Sequence, residues 1–249
     1  MKTACFLQPD WPAPPQVKAW MTTRHGGVSQ GPYASCNLAL HVGDDPQAVI
    51  RNRGWVQEQL ALPQAPFWLD QVHGNRVLPA ALWQPGVRAD GLVSTMPGEV
   101  LAILTADCLP LLLCHRSGEG AIAALHAGWR GLAAGIVQEG VAAMGCDPGE
   151  LLAWVGPGIS QDCYRIGEDV AERLMASLPY AHQALQRCGV DAWRADLSCM
   201  ARLALQACGV AAVSMSGCCT AQDATRWFSY RRDGTTGRMA ALIWLAGVP

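Results

Sequence analysis

The chain has 249 residues, 51% of them hydrophobic and 15% charged, with a formal net charge of −2. That length supports one large domain or two small ones with a real core, and the composition excludes intrinsic disorder. The near-neutral balance argues against non-specific nucleic-acid binding, which needs a basic surface to neutralise phosphates.

No repeat, low-complexity tract or linker interrupts the chain, so one domain over residues 1–249 is expected. Residues 17–22 (VKAWMT) read as a strand, followed by the polar loop TRHGGVSQGPYASCN. Residues 47–60 read as a helix, with Pro46 just before them and Pro63 just after. Short strands are expected near 67–72, 90–94, 100–104, 109–114 and 121–126, each bounded by Gly, Pro or charge. Over 131–144 the helical period puts Leu132, Ile136, Val137, Val141 and Met144 on one side, with Gly145 placed as a C-cap. Helices follow at 167–177 and 196–207, the second with Asp196 as N-cap and Gly209 beyond its end. RMAALIWL closes the chain as a buried strand. Strands in the middle and helices later point to an α+β fold with mixed sheets.

The longest apolar run, 101–114, is too short to cross a membrane and carries Asp107 in its middle. The N-terminal MKTACFLQPDWPAPP lacks the long apolar region of a secretory signal, so the expected compartment is the cytoplasm. Eleven cysteines, an odd number with no C-x-x-C, fit reduced thiols used mostly as small apolar residues.

Gly27-Val28-Ser29-Gln30-Gly31 matches the G-x-S-x-G nucleophile elbow, but Pro32 and more loop follow where the elbow needs a helix. No H-E-x-x-H, Walker loop or G-x-G-x-x-G occurs, nor the H-x-E…P-C-x-x-C signature of zinc deaminases. Three segments are more informative. DQVHG, TADCLP and HAGWRG each set a metal-capable side chain, His73, Cys108 or His126, beside a turn. Two imidazoles and a thiolate suit zinc and leave a fourth position open, as in catalytic sites. Taken singly, each could instead be a core polar group, a small hydrophobe or a capping group.

These segments, together with TRHGGVS, NLALHVGDDPQAV, ADGLVS, LTADCLPLLL, VGPGIS and FSYRRDGTTGRMAALIWL, resemble the laccase-domain family over nearly the whole chain. That family is also called multicopper polyphenol oxidase-like, peptidoglycan editing factor, or zinc-dependent purine nucleoside phosphorylase. The resemblance implies a single α+β domain of layered mixed sheets flanked by helices, and one Zn2+ held by His73, Cys108 and His126. It also implies phosphorolysis of adenosine, inosine and related nucleosides such as methylthioadenosine, with adenosine deamination at the same site. A hydrolase editing a peptidoglycan nucleotide precursor is the alternative. Oxidase chemistry is disfavoured, because the six histidines form no H-x-H pair and cannot build a multicopper cluster. Copper would bind such a site adventitiously.

Phosphorolysis needs an anion pocket, and Arg130 at the start of the following helix offers one beside the metal. Arg24, Arg231 and Arg232 are further candidates for anion or substrate contact, against surface salt bridges as the plain alternative. Asp107, next to Cys108, is either a proton carrier for deamination or a group orienting the ligand loop. Asn37 is a candidate for the ribose or base, while His41, Asp44 and Asp45 brace their loop. The expected partners are a small nucleoside and phosphate, without nucleic acid or membrane, in a monomer or small homo-oligomer.

Overall fold

Two buried sheets stacked face to face carry the molecule, and the sequence's longest apolar runs are their central strands. The structure, a computed structural model, describes residues 5–210 and 212–247. Residues 1–4, which open the segment read above for a secretory signal, lie outside the described residues. One sheet has four strands in the order β1 (Phe6–Leu7), β2 (Val17–Thr22), β13 (Met239–Leu245) and β5 (Leu101–Thr105), all antiparallel. The other has six: β12 (Ala212–Met215), β8 (Leu151–Val155), β6 (Leu109–His115), β7 (Ile122–Ala127), β4 (Gly91–Ser94) and β3 (Val77–Pro79). Its outer pairs are parallel and its inner pairs antiparallel. A small antiparallel sheet joins β10 (Leu185–Gly189), β11 (Ala192–Ala195) and β9 (Arg165–Gly167).

Alternation along the strands shows why these runs are apolar throughout. Ile103 faces the interface between the two large sheets, while Ala102 and Leu104 face the opposite side, under the helix Pro46–Leu60. In β6, Leu112 and Cys114 face the same interface, and Leu111 and Leu113 face the helices Ile136–Ala143 and Leu197–Ala207. A strand buried on both faces has no polar side to display. The order is helix, sheet, sheet, helices, the expected α+β arrangement of layered mixed sheets.

Local signals placed most helix ends. Asp45 accepts from the Gln47 amide at 2.9 Å and caps the first helix, and Asp196 accepts from Cys199 N at 2.8 Å. The helix expected over 131–144 differs. It begins at Trp129 and is two segments, Trp129–Ala134 and Ile136–Ala143, because Gly135 adopts φ +90° and ends the first. The strand expected at 67–72 is also corrected. Only isolated bridges, Phe67 to Leu101 and Asp70 to Arg88, form there, while Gln71 bonds Leu104 through its side chain. Strands β8 to β12 interleave with the later helices, so strands are not confined to the middle.

Among the described residues no helix is long and apolar enough to cross a membrane. All eleven cysteines are unpaired. Thiol titration of the purified protein in denaturant should therefore find close to eleven reactive groups; several protected pairs would contradict this arrangement.

Candidate functional site

Adjacent strands of the six-stranded sheet bring the candidate ligands to one end. Gly91 of β4 pairs with Leu125 of β7, and Pro110 of β6 pairs with His126 of β7. Asp90, His126 and Cys108 therefore stand side by side at the sheet end, and the 70–74 turn folds over them with His73. The metal-capable atoms of His73, Cys108 and His126 all lie within 4.8 Å of one another. The two rings meet edge to face at 4.8 Å between centroids.

Asp90 organises this end. It is fully buried, and its carboxylate accepts from the backbone N–H of Val72 at 3.2 Å, His73 at 2.9 Å and Gly74 at 2.7 Å. It also meets His126 Nδ1 at 2.8 Å, which leaves Nε2 for a metal. Burial alone would raise the Asp90 carboxyl, but the His126 contact and the Gly74 and Val72 amides hold it below its ordinary value. The bonds to the 72–74 amides also hold the His73 turn in an unusual backbone conformation. Only three non-glycine residues among those described have positive φ, and two are His73 (+61°) and Asp107 (+90°). Such conformations cost on the order of 1–3 kcal/mol each and persist where the surroundings impose them, here to aim two turns at one point.

The donor set fits a metal ion. Burial pushes the Cys108 thiol up, yet the imidazoles of His126 and His73 bring it down to about 6. His126 is correspondingly raised to about 9: burial works against its charged form, and the Cys108 sulfur and Asp90 outweigh that. A thiolate held by a neighbouring proton is the arrangement in which a cation takes the proton's place. Space is reserved as well. A Cβ on Gly128 would stand 2.7 Å from Cys108 Sγ and 3.4 Å from the His73 ring, so only glycine fits between these ligands. Asp90→Asn should weaken the site's metal affinity about 10–100-fold, because it replaces one carboxylate oxygen by an N–H that cannot accept. Competition with a chromophoric chelator measures it; unchanged affinity would mean that the carboxylate serves only the turn.

His73 opens on a pocket of about 320 Å³ lined also by Arg130, Ala133, Ala134, Arg173 and Ser177. The Arg130 guanidinium lies over the Trp129 ring at 4.5 Å. Among the described residues neither Arg130 nor Arg173 has a carboxylate or hydrogen-bond partner, and both are exposed.

The remaining sequence candidates are engaged with the protein itself. Asp107 accepts from the Thr220 hydroxyl at 2.7 Å and the Arg231 amide at 2.6 Å, so both its oxygens brace the turn that carries Cys108. Arg231 bonds the Arg165 carbonyl at 2.6 Å and covers the Tyr164 ring. Arg24 donates to the carbonyls of Ala34 and Ala224 and covers Phe228. Arg232 bonds the carbonyls of Thr220, Ala221 and Trp227 and pairs with Asp233. Asn37 is buried, with its amide shared among Ala39, Asp44 and the Arg238 N–H. Asp44 also accepts from Ser29, so the elbow-like serine is a buried loop brace.

Sequence reasoning missed Asp90, Arg173 and Arg238. Burial lowers the Arg238 guanidinium, against the opposing pull of the Cys108 and Asp107 charges. Asp90 had a signal in the A-D-G preceding β4, a carboxylate at a strand start with no polar neighbour to solvate it. Arg173 had none, since it sits on an ordinary polar helix face.

Residues 18–246 match the family described as multi-copper polyphenol oxidoreductase laccase. A purine nucleoside phosphorylase of Pseudomonas aeruginosa is 47% identical over 243 residues, 96% of this chain and 98% of that protein. The purine nucleoside phosphorylase YfiH of Escherichia coli is 45% identical over 242 residues, again 96% and 98%. The crystal structure of Neisseria meningitidis protein NMB0706 superposes with a TM-score of 0.93 at 48% identity, covering 98% of this chain and all of that one.

Proposed function

The chain belongs to the multi-copper polyphenol oxidoreductase laccase family, and we propose that it acts as a zinc-dependent purine nucleoside phosphorylase. Its substrates are adenosine, inosine and related nucleosides including methylthioadenosine, with adenosine deamination at the same site. One observation carries the reading: a His73–Cys108–His126 cluster adjoins a pocket with two unpaired guanidinium groups. The relatives named as purine nucleoside phosphorylases support it.

Phosphorolysis joins a phosphate oxygen to ribose C1′ while the bond from C1′ to the purine nitrogen breaks. Phosphate brings charge that must be held beside the ribose, and Arg130 and Arg173 supply it without first breaking an ion pair. His73, Cys108 and His126 would hold a zinc ion, which would supply Lewis acidity beside the pocket. Asp90 orients His126, and Asp107 positions Cys108 by tying its turn to Thr220 and Arg231. In this reading Arg24 and Asn37 brace their own loop. The pocket's volume of about 320 Å³ lies at the small end for ligand sites, which favours a nucleoside over a bulky cell-wall precursor.

The test is incubation of zinc-loaded protein with a nucleoside panel, with and without phosphate, following free base and ribose 1-phosphate. Phosphate-dependent release of adenine or hypoxanthine is expected. Base release indifferent to phosphate would replace this reading with a hydrolase.

A further inference from the structure

The Arg238 guanidinium has no part in the chemistry described so far, yet the fold carries it to the edge of the His73–Cys108–His126 cluster. Met239 opens β13 opposite Thr105, the last residue of β5, so Arg238 stands where the chain leaves β5 for Asp107 and Cys108. Gln71 brings the turn of His73 to the same corner, through two side-chain bonds of 2.8 Å to the Leu104 backbone. The Arg238 backbone is clamped there: its N–H donates to Asn37 Oδ1 at 2.9 Å, and its carbonyl accepts from Leu38 at 3.1 Å. The charges of Cys108 and Asp107 both act on the guanidinium. Arg130, by contrast, arrives on the helix that follows β7.

Only one nitrogen of this guanidinium is used. Nη1 donates to the carbonyls of Thr236 at 2.9 Å and Gly237 at 3.0 Å. Nε and Nη2 have no hydrogen-bond or carboxylate partner among the described residues. Those two groups share an edge and present parallel N–H donors, a fork that binds two acceptors side by side. A half-buried guanidinium in that state gives up water without gaining a partner, which is costly unless a ligand brings the acceptors. The guanidinium lies 5.7 Å from the centre of the Tyr230 ring, and that ring is exposed. Tyr230 is fixed near the cluster in turn, because the amide of the next residue holds Asp107 at 2.6 Å. Two exposed aliphatic side chains stand on the neighbouring turns: Leu40, two residues past the Leu38 clamp, and Val72, next to His73. A donor fork beside an exposed ring and aliphatic groups suits a planar heterocycle with two adjacent acceptors better than it suits phosphate.

We propose that Arg238 is the residue that recognises the purine: its Nε–Nη2 edge takes O6 and N7 of a 6-oxopurine, with the base lying against the Tyr230 ring. The assignment rests on the phosphorylase reading above and adds to it a preferred base. Hypoxanthine presents two acceptors on that edge, whereas adenine presents N7 and an amino donor. Inosine is therefore the better-held nucleoside, and adenosine gains the second bond on deamination. In phosphorolysis a phosphate oxygen bonds C1′ and the electron pair of the C1′–N9 bond passes into the purine. That charge spreads onto N7 and O6, where the guanidinium meets it, and the released base takes a proton from water.

Inosine and 7-deazainosine, in which N7 is replaced by C–H, are titrated into zinc-loaded protein by calorimetry without phosphate, so that no phosphorolysis occurs. Inosine is expected to bind about tenfold or more tighter. Arg238→Lys keeps the charge but not the fork, so it should retain zinc and lose that difference. A merely structural arginine would lower the melting temperature on substitution and leave the advantage of inosine intact. Equal affinities for the unaltered chain, or an advantage that persists in Arg238→Lys, would overturn the assignment. Phosphate-dependent turnover of inosine would then leave the phosphorylase reading standing, whereas neither binding nor turnover would remove both. The two titrations of the unaltered chain decide the point even if the variant fails to fold.

Discussion

On the proposed function, His73→Ala should leave a folded protein that no longer binds zinc and has lost both nucleoside reactions. His73 is exposed, and the bonds that hold its turn run from backbone N–H groups to Asp90, so removing the ring costs the fold little. It does remove one of three ligands, which leaves two protein groups for an ion that prefers four. Loss of Lewis acidity worth several kcal/mol corresponds to a fall on the order of 10³-fold or more in both reactions. His126→Ala should give the same chemical result by a costlier route. It strands the buried Asp90 without its imidazole, and breaking a buried pair destabilises by about 3–5 kcal/mol. Elemental analysis, melting temperature and the two rates, measured on both variants and on Cys108→Ala, separate metal loss from unfolding. Near-stoichiometric zinc surviving in any of them would remove that residue from the ligand set.

The candidate ligands were legible as a cluster because chemistry concentrates in short motifs, whereas the groups that aim them are scattered. His126 and Asp90 are 36 residues apart and meet only because β4 and β7 are neighbours in the sheet. Pairing of that kind leaves no local trace. The helices were legible where a cap and a period agreed, as at Asp45 and Asp196. Over 131–144 the apolar period runs on through Gly135, so the pattern concealed a break made by one backbone angle. Strand β8 was missed for the opposite reason: LLAWV is buried on both faces and shows no alternation. The strand expected at 67–72 failed because that segment bonds its backbone to loops and spends the Gln71 side chain on Leu104. Arg24 is a sequence candidate for anion contact and Asn37 for the ribose or base, both in the polar loop after β2. The structure shows how such a loop consumes them, since its carbonyls need donors when it folds against the core.

Arg130→Ala should separate the two activities. Its guanidinium rests on the Trp129 ring and meets no carboxylate among the described residues, so the fold loses only that exposed contact, worth about 0.5–1 kcal/mol. Phosphorolysis loses a cation from a pocket that must hold phosphate against ribose C1′. Removing one charge-stabilising donor costs about 2–4 kcal/mol, a fall of roughly 30- to 1000-fold, together with a higher phosphate requirement. Deamination replaces the purine amine with water and involves no phosphate, so it should fall much less. Arg173→Ala should behave in the same way, since both guanidinium groups line the pocket. Their combined effect should exceed either alone if they hold one anion. The comparison requires variants first shown to be folded and zinc-loaded. Equal losses in both reactions would place the phosphate pocket elsewhere and leave Arg130 as a support for the metal turn. A selective loss would tie the anion to the helix that starts at Trp129, three residues after the ligand His126.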